Sequence, residues 1–284
     1  MKPSGRQQRT AIMTAMACLA TLVLIVSCPL ALAAGEIADA VRESGVMTVA
    51  VRGDYLPFSK ATGQGDELTF SGFDVDIMRA VAERIGVAVE FVVVEPNVVV
   101  PLVAEGIVQA APGLNHRMSW ERVIDFSVTY LVGGTMALVP ASSGIYRLSS
   151  LAGRPVAIVA GTDVTELAKK IPDADIIPVD TPQAGLELLA NRQVRALVGD
   201  FKDLVSLQTE SEKPHSLRII TEPIAPIPVA VGLFPDDGTW RERVDRALMD
   251  LWVSGGYVEN YETWFGREAP VRIPLDFTME VWPN

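Results

Sequence analysis

The sequence predicts an α/β fold arranged as two lobes. Apolar, β-rich runs alternate with amphipathic helical stretches from residue 36 onward, the pattern of mostly parallel sheets flanked by helices. A serine-rich stretch at 142–150 and a proline-rich one at 223–228 each interrupt that alternation where a chain would cross between lobes. A span of about 250 residues also favours two smaller cores over one layer.

The first thirty-odd residues lie outside this fold. Lys2, Arg6 and Arg9 form a basic start, residues 11–26 are apolar, and Ala31-Leu32-Ala33 is a small-x-small cleavage site. That is the layout of a signal peptide, residues 1–33, and it implies an exported, periplasmic protein. Leu24-Ile25-Val26-Ser27-Cys28 loosely resembles a lipoprotein site, with Cys28 as the lipidated residue. Both cysteines, Cys18 and Cys28, fall in this segment, so the mature chain has no thiol for disulfide, metal or nucleophile. Its 24 basic residues lose three with the segment while all 35 acidic ones remain, leaving a net charge near −14. That argues against nucleic acid or an anionic membrane surface as partner.

The elements follow in order. Residues 36–44 form a short helix closed by Gly45, and 47–51 a strand. A turn-rich loop with Pro57, Gly63 and Gly65 covers 54–69. Phe73, Ile77, Val81 and Ile85 recur every four residues, giving a helix over 73–85 that Gly86 ends. Asp74 and Asp76 suit the dipole of its first turn. Residues 87–94 are almost continuously apolar, which predicts a strand covered on both faces. A short helix at 98–104 precedes a strand at 107–111. Further strands are expected at 135–139, 155–159, 176–179, 194–198, 217–220 and 228–233. Helices are expected at 164–171, 182–190, after Gly199-Asp200 to 207, and 241–252, the last with Thr239 and Glu242 at capping-box spacing. Residues 270–284 show no period and either wrap the surface or stay loose.

Ligands of α/β sheets bind beyond the carboxyl ends of strands. That rule selects four places. Arg52 and Tyr55 follow the first strand as an anion partner and an aromatic wall. The loop from Gly113 through Asn115, His116, Arg117 and Trp120 is the densest polar stretch at a strand end. Gly161 and Thr162 open a helix whose N–H groups attract a carboxylate. Asp200 ends a strand and either holds an ammonium group or simply caps a helix. No phosphate-binding glycine loop, dinucleotide turn or nucleophile elbow appears, and His116 and His215 have no metal-site spacing.

Taken together, the motifs of residues 46–266 resemble the family 3 extracellular solute-binding proteins, the polar amino-acid receptors of ABC importers. They are Tyr55-Leu-Pro-Phe58, Ser71-Gly-Phe-Asp-Val-Asp76, Ile124-Asp-Phe-Ser127 with Tyr130, and Leu151-Ala-Gly with Val156-Ala-Ile-Val-Ala-Gly-Thr162. Val194-Arg-Ala-Leu-Val-Gly-Asp200, Gly256-Tyr257 and Tyr261-x-x-Trp-Phe-Gly266 complete the series. The resemblance implies a two-lobe periplasmic-binding-protein fold, type II-like, with two crossover hinge strands. Lobe 1 would comprise 34–138 plus 229–284, and lobe 2 residues 139–228. It implies a monomer that closes on a small-molecule ligand and hands it to an inner-membrane ABC permease, with no cofactor and no catalysis.

The resemblance also assigns roles. Tyr55 flanks the ligand, Gly113 and Asn115 contact it, Gly161 and Thr162 assist, and Asp200 takes its ammonium group. The carboxylate-clamping arginine of the family falls on Trp120, which cannot make a bidentate bond to carboxylate. Arg117 or Arg52 then supplies that charge, or the ligand has no free α-carboxylate. An enzyme like the cyclohexadienyl dehydratases is the alternative, with His116, Glu121 or Asp200 as acid–base groups. A ligand-sensing partner of a membrane receptor is a further one.

Overall fold

The computed structural model describes residues 35–283, so the expected signal segment and Cys28 lie outside it. No helix of the described residues is long and apolar enough to cross a membrane.

Local signals place most elements. Helix α1 (Glu36–Ser44) ends at Gly45, whose φ of 68° closes it, and β1 (Val46–Val51) follows. The loop after β1 is more ordered than its turn residues suggest. Strands β2 (Asp54–Tyr55), β3 (Ser59–Thr62) and β4 (Thr69–Ser71) pair antiparallel into a small sheet. Strands this short do not establish an alternating pattern, so the sequence shows only their turns. Helix α2 (Phe73–Ile85) runs over the expected span and ends at Gly86. Next come β5 (Ala88–Val93), α3 (Val99–Ala104), β6 (Ala110–Asn115), β7 (Asp125–Phe126) and β8 (Leu131–Pro140). The second half runs β9 (Pro155–Val159), α4 (Val164–Lys170), β10 (Asp175–Val179), α5 (Pro182–Ala190), β11 (Ala196–Asp200) and α6 (Phe201–Glu210). It ends with β12 (Leu217–Leu233), α7 (Gly238–Val253) and α8 (Gly256–Phe265).

The main sheet has the order β10-β9-β11-β8-β12-β6-β1-β5, with β7 paired to β12. Strand β1 lies parallel between β5 and β6, and β9 parallel between β10 and β11. Within the sheet these two parallel sets, each wound with helices, are linked through β8 and β12, which pair antiparallel with each other. This is the α/β, two-lobe architecture that the alternation predicts, with β8 and β12 in the place of the crossover strands.

Four local readings are corrected. Strand β5 is an edge strand whose residues alternate between exposed and half-buried, and Val93 is 49% exposed, so its apolar run does not mark burial on both faces. Strand β6 starts later than its apolar run and continues through Gly113 to Asn115. Residues 217–220 and 228–233 belong to one seventeen-residue strand, despite Pro223, Pro226 and Pro228. The carbonyl of Pro228 accepts from His116 N–H at 2.8 Å, so its backbone polar groups face away from β8, and the two-residue period puts Pro226 on the same side. The ladder to β8 therefore loses no donor at those two positions. Finally, α7 is capped by Asp237, not Thr239: its carboxylate accepts from Trp240 N–H at 2.9 Å and from the amides of Ile37 and Ala38. Because the second set of bonds spans some 200 residues, one side chain both caps α7 and secures the start of α1.

A cluster of rings holds α2 in place. Phe73 is fully buried with Tyr130, Tyr257, Tyr261 and Phe265 around it, at ring-centroid separations of 5.2–6.2 Å. Such pairs each contribute about 0.5–1.5 kcal/mol beyond the area they bury. The Tyr257 hydroxyl donates to the Tyr130 carbonyl at 2.6 Å, and the Tyr130 hydroxyl to Asp74 at 2.7 Å. Residues 267–283 have neither helix nor strand, yet Val271, Ile273 and Met279 are buried and Phe277 meets the Trp252 ring edge-on. Burial of these side chains decides the earlier alternative: this segment wraps the surface.

Candidate functional site

Five strand ends converge on a cavity of about 450 Å³. Arg52 follows β1, Val94 and Pro96 follow β5, and Gly113, Leu114 and Asn115 end β6, with Arg117 just beyond it. From the other parallel set come Val159 to Thr162 after β9, and Asp200, Lys202 and Asp203 at the end of β11 and the start of α6. The nine residues expected to bind ligand all line it: Arg52, Tyr55, Gly113, Asn115, Arg117, Trp120, Gly161, Thr162 and Asp200; His116, from the same loop, does not. This follows from parallel pairing, which points the carboxyl ends of β1, β5 and β6 one way and those of β9 and β11 likewise.

The polar contacts join the two halves of the lining. Asn115 Nδ2 donates to Asp200 Oδ2 at 2.9 Å, and Asp200 Oδ1 caps α6 by accepting from Lys202 N–H at 2.9 Å. Asp200 thus serves as the cap of α6, and its other oxygen faces Asn115 on the cavity wall. Burial raises its carboxyl above the ordinary range; the Asn115 bond opposes that rise and Asp203 nearby adds to it. The Tyr55 hydroxyl donates to Asp203 at 2.7 Å, and Arg52 lies 3.5 Å from the same oxygen. The Arg52 guanidinium also stands 3.5 Å above the Tyr55 ring. Tyr55 is therefore less of an open aromatic wall than expected, being only 8% exposed with one face covered. Burial, then the negative Asp203, pushes its phenol well above the usual range, so it remains a donor.

Lys202 and Asp74 are the residues the strand-end rule missed. Their side chains pair at 3.0 Å, at 6% and 5% exposure. Lys202 Nζ also donates to the Gly113 carbonyl at 3.1 Å and lies 4.5 Å from the Phe58 ring centroid. The pair explains why residue 113 is glycine. Its φ is +78°, and a Cβ there would stand 2.1 Å from Lys202 Nζ and 2.6 Å from Asp74 Oδ2. One signal was legible in advance: a lysine in the first turn of a helix opposes the dipole, so its placement calls for a tertiary partner.

The helix start at α4 is less available to an anion than its sequence suggests. The Asp163 carboxylate accepts from Thr165 N–H at 2.8 Å, which lowers its own pKa and occupies a donor an anion would use. The Thr162 N–H is taken by the Val159 carbonyl. Arg117 is exposed, forms no ion pair among the described residues, and stands 5.7 Å from the Trp120 ring. Of the acid–base candidates only Asp200 lines the cavity. His116 pairs with Glu121 at 2.6 Å and stacks on Phe126 at 4.3 Å.

Several known proteins share this framework. The chain is 24% identical over 252 residues to the L-glutamate/L-aspartate-binding protein of Pseudomonas aeruginosa, covering 84% of this chain and 83% of that one. It is 34% identical over 124 residues to the cyclohexadienyl dehydratase of the same organism, covering 43% and 44%. Among solved structures, an ancestral cationic amino acid solute binding protein superposes with a TM-score of 0.64 at 23% identity, covering 80% of this chain and 98% of that one. An L-arginine-bound amino acid ABC transporter substrate-binding protein from Streptococcus pneumoniae does so with a TM-score of 0.60 at 22% identity, covering 80% and 96%. The family model that matches residues 47–267 spans the whole run of motifs and every strand that builds the cavity. The chain belongs to the bacterial extracellular solute-binding proteins, family 3.

Proposed function

We propose that this protein captures a small polar solute, an amino acid or a related small organic acid, in an interlobe cleft and delivers it to an ABC importer. The observation that supports this most is the convergence of nine residues singled out from the sequence on one cavity. Its volume of about 450 Å³ lies in the range of small-molecule sites. In this reading lobe 1 comprises residues 34–138 and 229–284 and lobe 2 residues 139–228, hinged on β8 and β12. Asn115–Asp200, Tyr55–Asp203 and Lys202–Asp74 then all bridge the lobes and favour the closed form. The protein works as an exported periplasmic monomer whose partner is the inner-membrane permease. The amino-acid ligands named for its relatives support the solute class.

The test is intrinsic tryptophan fluorescence, with Trp120 on the cavity wall, together with thermal shift across amino acids, organic acids and amines. No response to any of them would remove the basis of the proposal. The similarity to a cyclohexadienyl dehydratase motivates a second reading. Prephenate and arogenate turnover decides it, and with His116 and Glu121 paired to each other we expect none.

A further inference from the structure

Three cations and three carboxylates line the cavity: Arg52, Arg117 and Lys202, with Asp74, Asp200 and Asp203. Their pairing is uneven. Lys202 is committed to Asp74 and to the Gly113 carbonyl, and Arg52 to Asp203. Asp200 already receives one donor on each oxygen, from Asn115 and from the Lys202 amide. Each carboxylate of the cavity thus holds a donor from the chain itself, whereas Arg117 forms no ion pair among the described residues.

An incoming ammonium brings three donors and no acceptor. At Asp200 and at the Gly113 carbonyl it competes with Asn115 and Lys202, which already donate there. Losing a partner from a buried charged group costs more than an exposed contact returns. An incoming carboxylate meets the reverse situation. Arg117 offers it a bidentate fork beside the Trp120 ring, and Thr162 lines the cavity from the other parallel set.

We propose that the cleft selects a small carboxylate without an ammonium group, and that the Lys202 ammonium, held by Asp74 and Gly113, fills from within the position an amino acid's own ammonium would need. A single free arginine matches a planar carboxylate better than a phosphate, and Asp163 already occupies the helix start that would help hold a phosphate. This inference rests on the solute-binding reading and narrows its ligand class.

The experiment is calorimetry on the mature chain with matched pairs that differ in the α-ammonium: glutarate and L-glutamate, succinate and L-aspartate, 3-phenylpropionate and L-phenylalanine. Inorganic phosphate serves as the non-carboxylate anion. The expected result is that at least one acid binds about tenfold or more tightly than its amino counterpart. In the double variant Asp74→Asn/Lys202→Met, which removes the buried pair without leaving a lone charge, that preference should fall to within about threefold. Equal or tighter binding of the amino acids overturns the inference and leaves the solute-binding reading standing. Phosphate binding more tightly than every acid, or an unchanged preference in the double variant, also overturns it. Silence toward every compound overturns both readings.

Discussion

Lys202→Met gives the sharpest test of the charge arrangement at the cleft. The Lys202–Asp74 contact is 3.0 Å long, and both side chains are about 95% removed from solvent. At an effective dielectric of about 20 the pair attracts by about 5 kcal/mol. Methionine keeps much of the lysine stem's volume but leaves Asp74 with the Tyr130 hydroxyl as its one side-chain donor. Stranding one member of a buried pair costs about 3–5 kcal/mol, a large share of a typical domain's stability. Removing both charges is far milder, because neither ion then has to be desolvated. Equilibrium urea unfolding of the wild type, Asp74→Asn, Lys202→Met and the double variant completes a cycle. We expect a coupling of at least about 2 kcal/mol, with the double variant within about 1 kcal/mol of wild type. A Lys202→Met cost below about 1 kcal/mol, or coupling below about 0.5 kcal/mol, would refute the pair as an organising contact.

Three further outcomes follow from the same geometry. Arg117→Ala should weaken carboxylate binding by about 1.5–3 kcal/mol, the worth of hydrogen bonds to a charged group, while Arg122→Ala, which does not line the cavity, should leave it unchanged in the same titration. Gly113→Ala should unfold at lower urea by at least about 2 kcal/mol, since its Cβ meets Lys202 and Asp74, whereas Gly144→Ala, at φ +70° with open space around it, should cost only about 1 kcal/mol. Burial pushes Asp245 up to about 6, against the Val128 N–H bond and Arg241. Because the folded chain then holds this proton more tightly than the unfolded one, its contribution to stability grows as pH falls from about 7 toward 4, and the charge is fully destabilising above about 6. Asp245→Asn keeps the acceptor for Val128 N–H and removes the charge, so urea melts should show a gain of about 1–2 kcal/mol at pH 7 that disappears near pH 4.

The sequence by itself determined the alternation of strands and helices, because a period of two or of 3.6 residues is written locally in positions such as Phe73, Ile77, Val81 and Ile85. It also marked the helix ends at Gly45 and Gly86 and the cavity residues, because parallel strands send their carboxyl ends to one side. The family of the chain was legible for a related reason: its motifs are short, local and fixed in order. Tertiary structure alone decided that β12 runs unbroken past its prolines, since the missing donors face away from β8. It alone made β5 an edge, because an apolar run does not say what will lie beside it. And it alone brought Lys202 to Asp74 across 128 residues and left Arg117 without an ion pair among the described residues. Long-range pairing of charges leaves no periodic trace in a chain, so the part of the site that sets its chemistry appears only once the chain is folded.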